Sequence, residues 1–435
     1  MYDLVVEGGT FLPMVETGKV IQNGRLIIAQ GKIHSLEVAE GPLPPSRKVL
    51  NAAQCLVLPG FLNTHTHLGM TLYRGLADDV PFDVWLQEFI FPLEKKWASP
   101  EIVYLASLLG CVEMIRSGTI FFNDMYYFEE QTARAAHETG LRALLGITFI
   151  HGHLPENRSI ASVMAEFSES LKSYPLVAPA LAPHSLYSLS AEKLMEIAEV
   201  ATTQKLRVNM HVSETQSEVD ECFQKTGKTP VAYLESLGFW KLPITIAHAV
   251  VVNENDRRIL GNHHVGVAHN PESNLKLGNR IAPVAELREA RVNVGLGTDS
   301  VLSNNNLDLL QEATTAARLQ TFKYGPGRMV AEDFLTMLTT EGAAAVGLDK
   351  VTGRLAPGLS ADFIVIDTNR PHLQPLYDPF SQLIYSAGGA DVRDVVVAGK
   401  LLMEAGKILC LDEGALLAEV RSVAKKIGAS QSFNF

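Results

Sequence analysis

His65 and His67, in Asn63-Thr64-His65-Thr66-His67, have the spacing of two ligands on one metal ion. On an extended chain residues two apart point to the same side, as two ligands of one ion must. A lone H-x-H is more often a pair of polar loop residues, so the pair needs partners elsewhere. Candidates stand at the ends of other short apolar runs: His184 in Ala182-Pro183-His184-Ser185, His211 in Val208-Asn209-Met210-His211, His248 in Ile246-Ala247-His248, and Asp299 in Gly297-Thr298-Asp299. Each taken singly reads as a hydrogen-bonded histidine or a helix-capping aspartate. All of them ending runs of this kind points to one shared site. Three neutral imidazoles and one carboxylate suit a borderline ion such as Zn²⁺, with a position left for water.

Such an ion lowers the pKa of its water and makes hydroxide available near neutral pH. Hydrolysis then needs a proton shuttle nearby, and Glu214, three residues after His211, is placed to serve. Its alternative is a solvated glutamate opening a helix beside Thr215. No lysine lies between residues 176 and 184 to bridge a second metal, so a single ion is expected. His137-Glu138-Thr139-Gly140-Leu141 fails H-E-x-x-H at its last position, and neither P-C-x-x-C nor G-x-S-x-G occurs.

These residues need a scaffold that gathers strand ends. Short apolar runs at 60–63, 119–123, 141–147, 176–182, 207–210, 244–247, 265–268 and 292–297 alternate with helical stretches such as 100–116, 132–139, 191–203 and 283–290. Eight strands alternating with helices over roughly 300 residues predict an α/β fold, a (β/α)₈ TIM barrel whose C-terminal strand ends carry the site. Both chain ends read instead as short strands with glycine turns: 4–7, 20–21, 25–29 and 32–35 at the start, then 361–367, 392–398, 400–403 and 407–410. We therefore expect a composite β-sandwich from 1–57 and 356–435 beside a catalytic barrel at 58–355. Residues 42–45 read as a local turn or linker.

Composition narrows the function classes. The 435 residues are 47% hydrophobic and 20% charged, enough for a large core, and carry a net charge of −11. With no long basic run, a nucleic-acid backbone is a poor partner, although a free nucleoside is not. The four cysteines are dispersed, which suits a reducing compartment. No basic leader or bilayer-length apolar run is evident, so the expectation is a cytoplasmic enzyme without a membrane partner.

Thr64-His65-Thr66-His67, His211-Val212-Ser213-Glu214, His248 and Gly297-Thr298-Asp299 together resemble the amidohydrolase superfamily, in particular its mononuclear deaminase branch. Closer still is the similarity to the 5-methylthioadenosine/S-adenosylhomocysteine deaminases, carried by residues 70–79, Trp85 with Pro92-Leu93-Glu94, and 269–278. The resemblance implies His65, His67, His211 and Asp299 as ligands of one divalent metal ion per subunit, Zn²⁺ before Fe²⁺ or Mn²⁺. It implies Glu214 as proton shuttle, with His248 and Asp299 orienting the metal-bound hydroxide. Glu94 would accept the ribose hydroxyls, His184 would contact ribose or base, and Trp85 would pack on the nucleoside unless it is a core tryptophan.

Arg158 is the arginine available for a substrate contact after strand three. Ile147-Thr148-Phe149 stands where the resemblance implies a basic residue for a homocysteine carboxylate, so the 5′ substituent stays open. His269 and Asn274 would brace the loop after strand seven. The implied reaction is C6 deamination of an adenosine-type nucleoside by a homo-oligomeric enzyme. The rivals are a relative acting on guanine, a pterin or a triazine, and a non-catalytic scaffold, which the full set of candidate ligands disfavours.

Overall fold

The computed structural model describes residues 1–76, 78–80, 84–151 and 158–429, with the backbone alone described for 85–87. Eight parallel strands form one sheet in chain order: β1 (Phe61–Thr66), β2 (Thr119–Tyr126), β3 (Arg142–Phe149), β4 (Val177–Pro183), β5 (Arg207–Val212), β6 (Ile244–His248), β7 (Gly266–His269) and β8 (Asn293–Leu296). The sheet closes where the chain beyond β8 meets β1. There Thr64 Oγ1 donates to the Leu296 carbonyl at 2.8 Å and the Asp299 amide donates to the His65 carbonyl at 3.0 Å. This is the expected (β/α)₈ barrel.

Helices fill the connections because local signals start and stop them. Ser99 caps helix Pro100–Arg116, with proline at its first position, and Ser190 caps Ala191–Gln204. Gly140, at φ 84°, ends Glu129–Thr139 in the left-handed conformation that a C-terminal cap requires. Inside the barrel, Asn209 donates to Asn123 Oδ1 at 2.6 Å, and Asn123 donates to the Thr64 carbonyl at 2.9 Å. That chain pairs both side-chain amide NH2 groups of a polar layer beneath the mouth, where an unpaired donor would be costly.

Both chain ends meet in a second unit. One sheet runs Lys32–Val38, Gly24–Ala29, Tyr2–Glu7, Ser46–Asn51; another runs Lys407–Ile408, Lys400–Glu404, Val392–Val397, Phe363–Asp367, Cys55–Pro59, Thr10–Phe11, Ile21–Gln22. The second sheet is buried on both faces, and its side-chain alternation divides the work. Val57, Phe363, Val365 and Val396 join Leu4, Val6, Leu26 and Ile28 in a small core. Leu56, Leu58, Ile364, Ile366 and Val395 join the barrel's core.

The strand at Ser46–Asn51 and the helix at Glu413–Ala429 were not expected from the sequence. The first is an edge strand whose burial alternates but whose apolar residues, Val49 and Leu50, are adjacent, so the sequence shows no alternation. The second docks by its start, where Arg116 Nε donates to Glu413 Oε1 at 2.7 Å, and buries only Leu416 and Ile427.

Arg142, opening β3, ties the two units together. Its Nε lies 2.9 Å from Asp362 Oδ2 and its Nη2 2.6 Å from Ser360 Oγ, with the Asp362 side chain fully buried. Removing the carboxylate strands a largely buried cation, a loss on the order of 3–5 kcal/mol. Asp362→Ala should lower unfolding free energy by that amount in a denaturant titration, with Asp362→Asn recovering part. A change below about 1 kcal/mol would show that the bridge does not pin the sheet to the barrel.

Candidate active site

The C-terminal ends of the barrel strands bring the sequence's candidate residues together. β1 supplies His65 and the position before His67; β5 supplies His211 and β6 His248; Asp299 lies just beyond β8. The ligand atoms of His65, His211, His248 and Asp299 all lie within 4.8 Å of one another. His67 belongs to the same cluster: its Nε2 is 3.2 Å from Asp299 Oδ1 and 3.3 Å from His211 Nε2. His65 Nε2 is 3.3 Å from the same carboxylate oxygen.

Backbone carbonyls decide which nitrogens face inward. His67 Nδ1 donates to the Met125 carbonyl at 2.7 Å, and His211 Nδ1 donates to the His184 carbonyl at 2.9 Å. Their Nε2 atoms are thereby aimed at each other as electron-pair donors, an arrangement that repels unless a cation or proton stands between. His65 Nε2 is buried with no hydrogen-bond partner. Inward imidazole nitrogens around one carboxylate fit the donor set of a divalent transition-metal ion.

The chain reaches this geometry through unusual backbone. Ser213 (φ 56°), His248 (φ 78°), Ala249 (φ 46°) and Asp299 (φ 59°) all occupy the left-handed region that non-glycine residues avoid. Four such residues at three strand ends mark where the fold accepts strain to aim side chains.

Charge is balanced inside the cluster. Burial would raise the Asp299 carboxyl, but the His65 and His67 contacts outweigh it and hold it well below the usual carboxylate range. Burial pushes His65 down to about 4 against the pull of Asp299. For His67 the same burial is overcome by Asp299, and it is pushed up to about 9. Burial keeps His184 and His211 neutral, His184 down at about 3. Ser273 Oγ donates to Asp299 Oδ2 at 2.6 Å and the Ser300 amide donates to Oδ1 at 2.8 Å.

Glu214 follows β5 and faces His248, with its Oε2 3.7 Å from His248 Nε2. Burial raises its pKa, and Asn279 donates to Oε1 at 3.1 Å. Asn274 Oδ1 accepts from His248 Nδ1 at 3.1 Å, turning Nε2 toward Glu214 and Asp299. The bracing expected of His269 is different: neither ring nitrogen has a hydrogen-bond partner, so the brace is Asn274.

A pocket of about 710 Å³, counting its open mouth, spreads from this cluster. It is lined by His67, His184, His211, Glu214, His248 and Asp299, by Glu94 on helix Phe91–Trp97, and by apolar Met70, Ile90, Met125, Ile150 and Leu277. Burial pushes Glu94 up to about 7, with Tyr126 and His67 pulling the other way. The reading from sequence missed Tyr126, Tyr127 and Tyr187, which line the pocket together with Thr148 of the stretch Ile147-Thr148-Phe149. β2 runs three residues further than its apolar run and reaches Tyr126, with Tyr127 one residue beyond it. Arg158 is not brought to the pocket: its guanidinium is bound 2.5 Å from Glu166, half exposed. Trp85 falls where the backbone alone is described, so its side chain lies outside the described residues.

A parallel barrel with a histidine–aspartate cluster at its C-terminal mouth and a carboxylate beside it defines a metal-dependent hydrolase. The chain belongs to the amidohydrolase family, whose model matches residues 56–402, and is a hydrolase acting on C–N bonds. It is 39% identical over 431 residues to a 5-methylthioadenosine/S-adenosylhomocysteine deaminase of Thermodesulfovibrio yellowstonii, covering 97% of this chain and 98% of the relative. It is also 39% identical to a 5′-deoxyadenosine deaminase of Methanothermobacter thermautotrophicus, covering 94% and 95%. Among solved structures, a zinc-bound adenosine deaminase from Xanthomonas campestris superposes with a TM-score of 0.94 at 31% identity, covering 98% and 99%.

Gly297 allows β8 to approach β1 at the cluster. A Cβ there would sit 2.5 Å from Asn270 Oδ1 and 2.8 Å from the His65 amide nitrogen, so the strand carrying His65 would have to move. Gly297→Ala should weaken divalent-metal binding about 10- to 100-fold. Metal retained against a graded chelator checks this, and unchanged retention would show that His65's backbone position is not critical.

Proposed function

We propose that the chain hydrolytically deaminates 5′-substituted adenosines at C6, giving the inosine analogue and ammonia. The observation that carries the reading is a buried Glu94 carboxylate sharing one pocket with Glu214 and the histidine–aspartate cluster. The vicinal ribose hydroxyls are two donors matched to the two oxygens of such a carboxylate. The names of the relatives agree with the reading.

His65, His67, His211 and Asp299 would hold one divalent ion, Zn²⁺ before Fe²⁺ or Mn²⁺. When bound, the ion supplies a Lewis acid that makes water acidic near neutral pH. Glu214 takes a proton from the attacking water and delivers it to N1, offsetting the ring's lost aromaticity, then takes the proton of the new C6 hydroxyl and passes it to the leaving amine as the C6–N bond breaks. Its raised pKa suits a group that must both take and give a proton near neutrality. His248, turned by Asn274, orients the water and the developing oxygen at C6. Glu94 and His184 hold the ribose and base. Residues 58–355 form the catalytic domain and 1–57 with 356–435 its companion. Among the described residues no single helix is long and apolar enough to cross a membrane. We place the enzyme in the cytoplasm as a homo-oligomer acting on free nucleosides.

The first test is loss of adenine-type absorbance with ammonia release on zinc-loaded protein. The panel is methylthioadenosine, S-adenosylhomocysteine, adenosine, adenine and guanine. Turnover of nucleosides and not of free bases is expected; silence on every nucleoside would sink the substrate class. Glu214→Gln should keep its metal and lose about 10²- to 10⁴-fold in kcat, and near-normal turnover would remove the residue from the mechanism.

Glu94 gives a pH prediction. Its carboxyl is raised, so it is protonated below about 7 and accepts both hydroxyls only above that. KM for a ribonucleoside should rise as pH falls through about 7, while a 2′,3′-dideoxy analogue shows no such rise. Parallel profiles for the two would exclude a ribose contact.

A further inference from the structure

We infer that the pocket selects 5′ substituents without a carboxylate, and that Thr148 is a residue that sets this preference; the inference rests on the deaminase reading above. Thr148 lies two residues beyond Gly146 on β3. A Cβ on Gly146 would meet the side chains of Ala182 and Asn209 inside the barrel, so alternation aims Thr148 into the mouth. Thr148 lines the pocket there, buried, with a hydroxyl that has no hydrogen-bond partner. Ile150, next on that side of the chain, lines it too. Taking the base at Glu214 and the ribose at Glu94, we assign the 5′ arm to the side of the pocket that Thr148 and Ile150 line.

The carboxyl groups of the pocket are Glu94, Glu214 and Asp299, and among the described residues no lysine or arginine lines it. Residues 77, 81–83, 85–87, 152–157 and 430–435 contain no lysine or arginine either. On the segments that follow the strands' C-terminal ends, Arg74 is engaged with Glu113, Arg158 with Glu166 and Lys276 with Asp78, and Arg280 is exposed and lines a different pocket. Lys95 and Lys96, on the helix of Glu94, are exposed and line no part of the pocket.

The relatives' names span two kinds of 5′ arm: a homocysteine arm that carries an α-carboxylate, and methylthio or deoxy arms that carry no charge. An arm carboxylate against the β3 side of the pocket would shed water and meet no lysine or arginine there, the cation of the cluster being held by its own ligands. A thioether or methyl group would meet Met70, Met125, Ile150 and Leu277, which accept it without desolvating a charge.

The test is kcat/KM of the zinc-loaded full chain for methylthioadenosine, 5′-deoxyadenosine, S-adenosylhomocysteine and the methyl ester of S-adenosylhomocysteine. We expect the two uncharged arms to exceed S-adenosylhomocysteine by at least about tenfold, the size of one missing charge-assisted hydrogen bond. The ester should recover part of the difference. Thr148→Arg should narrow the ratio of methylthioadenosine to S-adenosylhomocysteine by about tenfold, and Thr148→Gln, similar in reach and uncharged, should not. S-adenosylhomocysteine turned over as well as methylthioadenosine, or an ester no better than the acid, would overturn the inference while leaving the deaminase reading intact. Silence on all four nucleosides would overturn both. The wild-type comparison decides even where the arginine variant fails to fold.

Discussion

The Asp299 carboxylate is the interaction on which the site and the barrel's closure both depend. A charge buried this deeply is expensive unless paired and hydrogen-bonded. Here it faces His65 and His67, accepts from Ser273 and from the Ser300 amide, and stands within 3.9 Å of His248. Its own amide donates to His65, joining the end of β8 to β1. The residue that completes the ring of strands thus also anchors the electrostatics of the mouth, so displacement of either strand alters both.

A second constraint acts through the backbone. Two carbonyls, Met125 and His184, fix the ring tautomers of His67 and His211, which no side chain does. Those carbonyls lie at the ends of β2 and β4, so the register of neighbouring strands sets the chemistry of the imidazoles between them. The left-handed residues Ser213, His248 and Asp299 sit at the same level. Strain of this kind persists only where surrounding structure over-determines it, and the hydrogen-bonded barrel supplies that rigidity.

How much of this was legible in the sequence follows from the same physics. All eight barrel strands were found, because buried parallel strands are continuous apolar runs. Their ends were not, because at the mouth the inward positions turn polar and the run breaks, as at Asp124–Tyr126 and Thr148. The site histidines could be read since each stands within four residues of the end of such a run, His211 and His248 immediately beyond it. Asn274 as the brace of His248 was half legible: the residue was singled out together with His269, and only three-dimensional contact separates a hydrogen-bonded amide from an unpartnered ring. Arg158 was chosen by being the basic residue at hand, and sequence carries no sign that Glu166, on the following helix, would hold it. Ser46–Asn51 escaped because an edge strand can alternate in burial with polar residues on both faces, and its apolar residues Val49 and Leu50 are adjacent.

Glu218 shows how positioning extends beyond the residues that touch the pocket's centre. Its two carboxylate oxygens accept from the backbone amides of Ser213 and Glu214, each at 2.8 Å. Burial pushes its pKa up to about 7 while those amides pull it back. It lies in the first turn of helix Gln216–Thr226, capped by Thr215, where the free amides of the helix start favour a carboxylate. One side chain therefore fixes the backbone that carries Glu214 and clamps the strained Ser213 next to it. The Val250 and Val251 amides complete that clamp on the Ser213 carbonyl, at 3.0 and 2.9 Å, tying β5's end to β6's. The segment between His211 and Glu214 is thus held at Ser213 by both its amide and its carbonyl. A three-residue spacing between a ligand and a proton carrier is common in sequence and has little meaning alone; here the clamp converts it into a fixed distance between Glu214 and the histidine cluster.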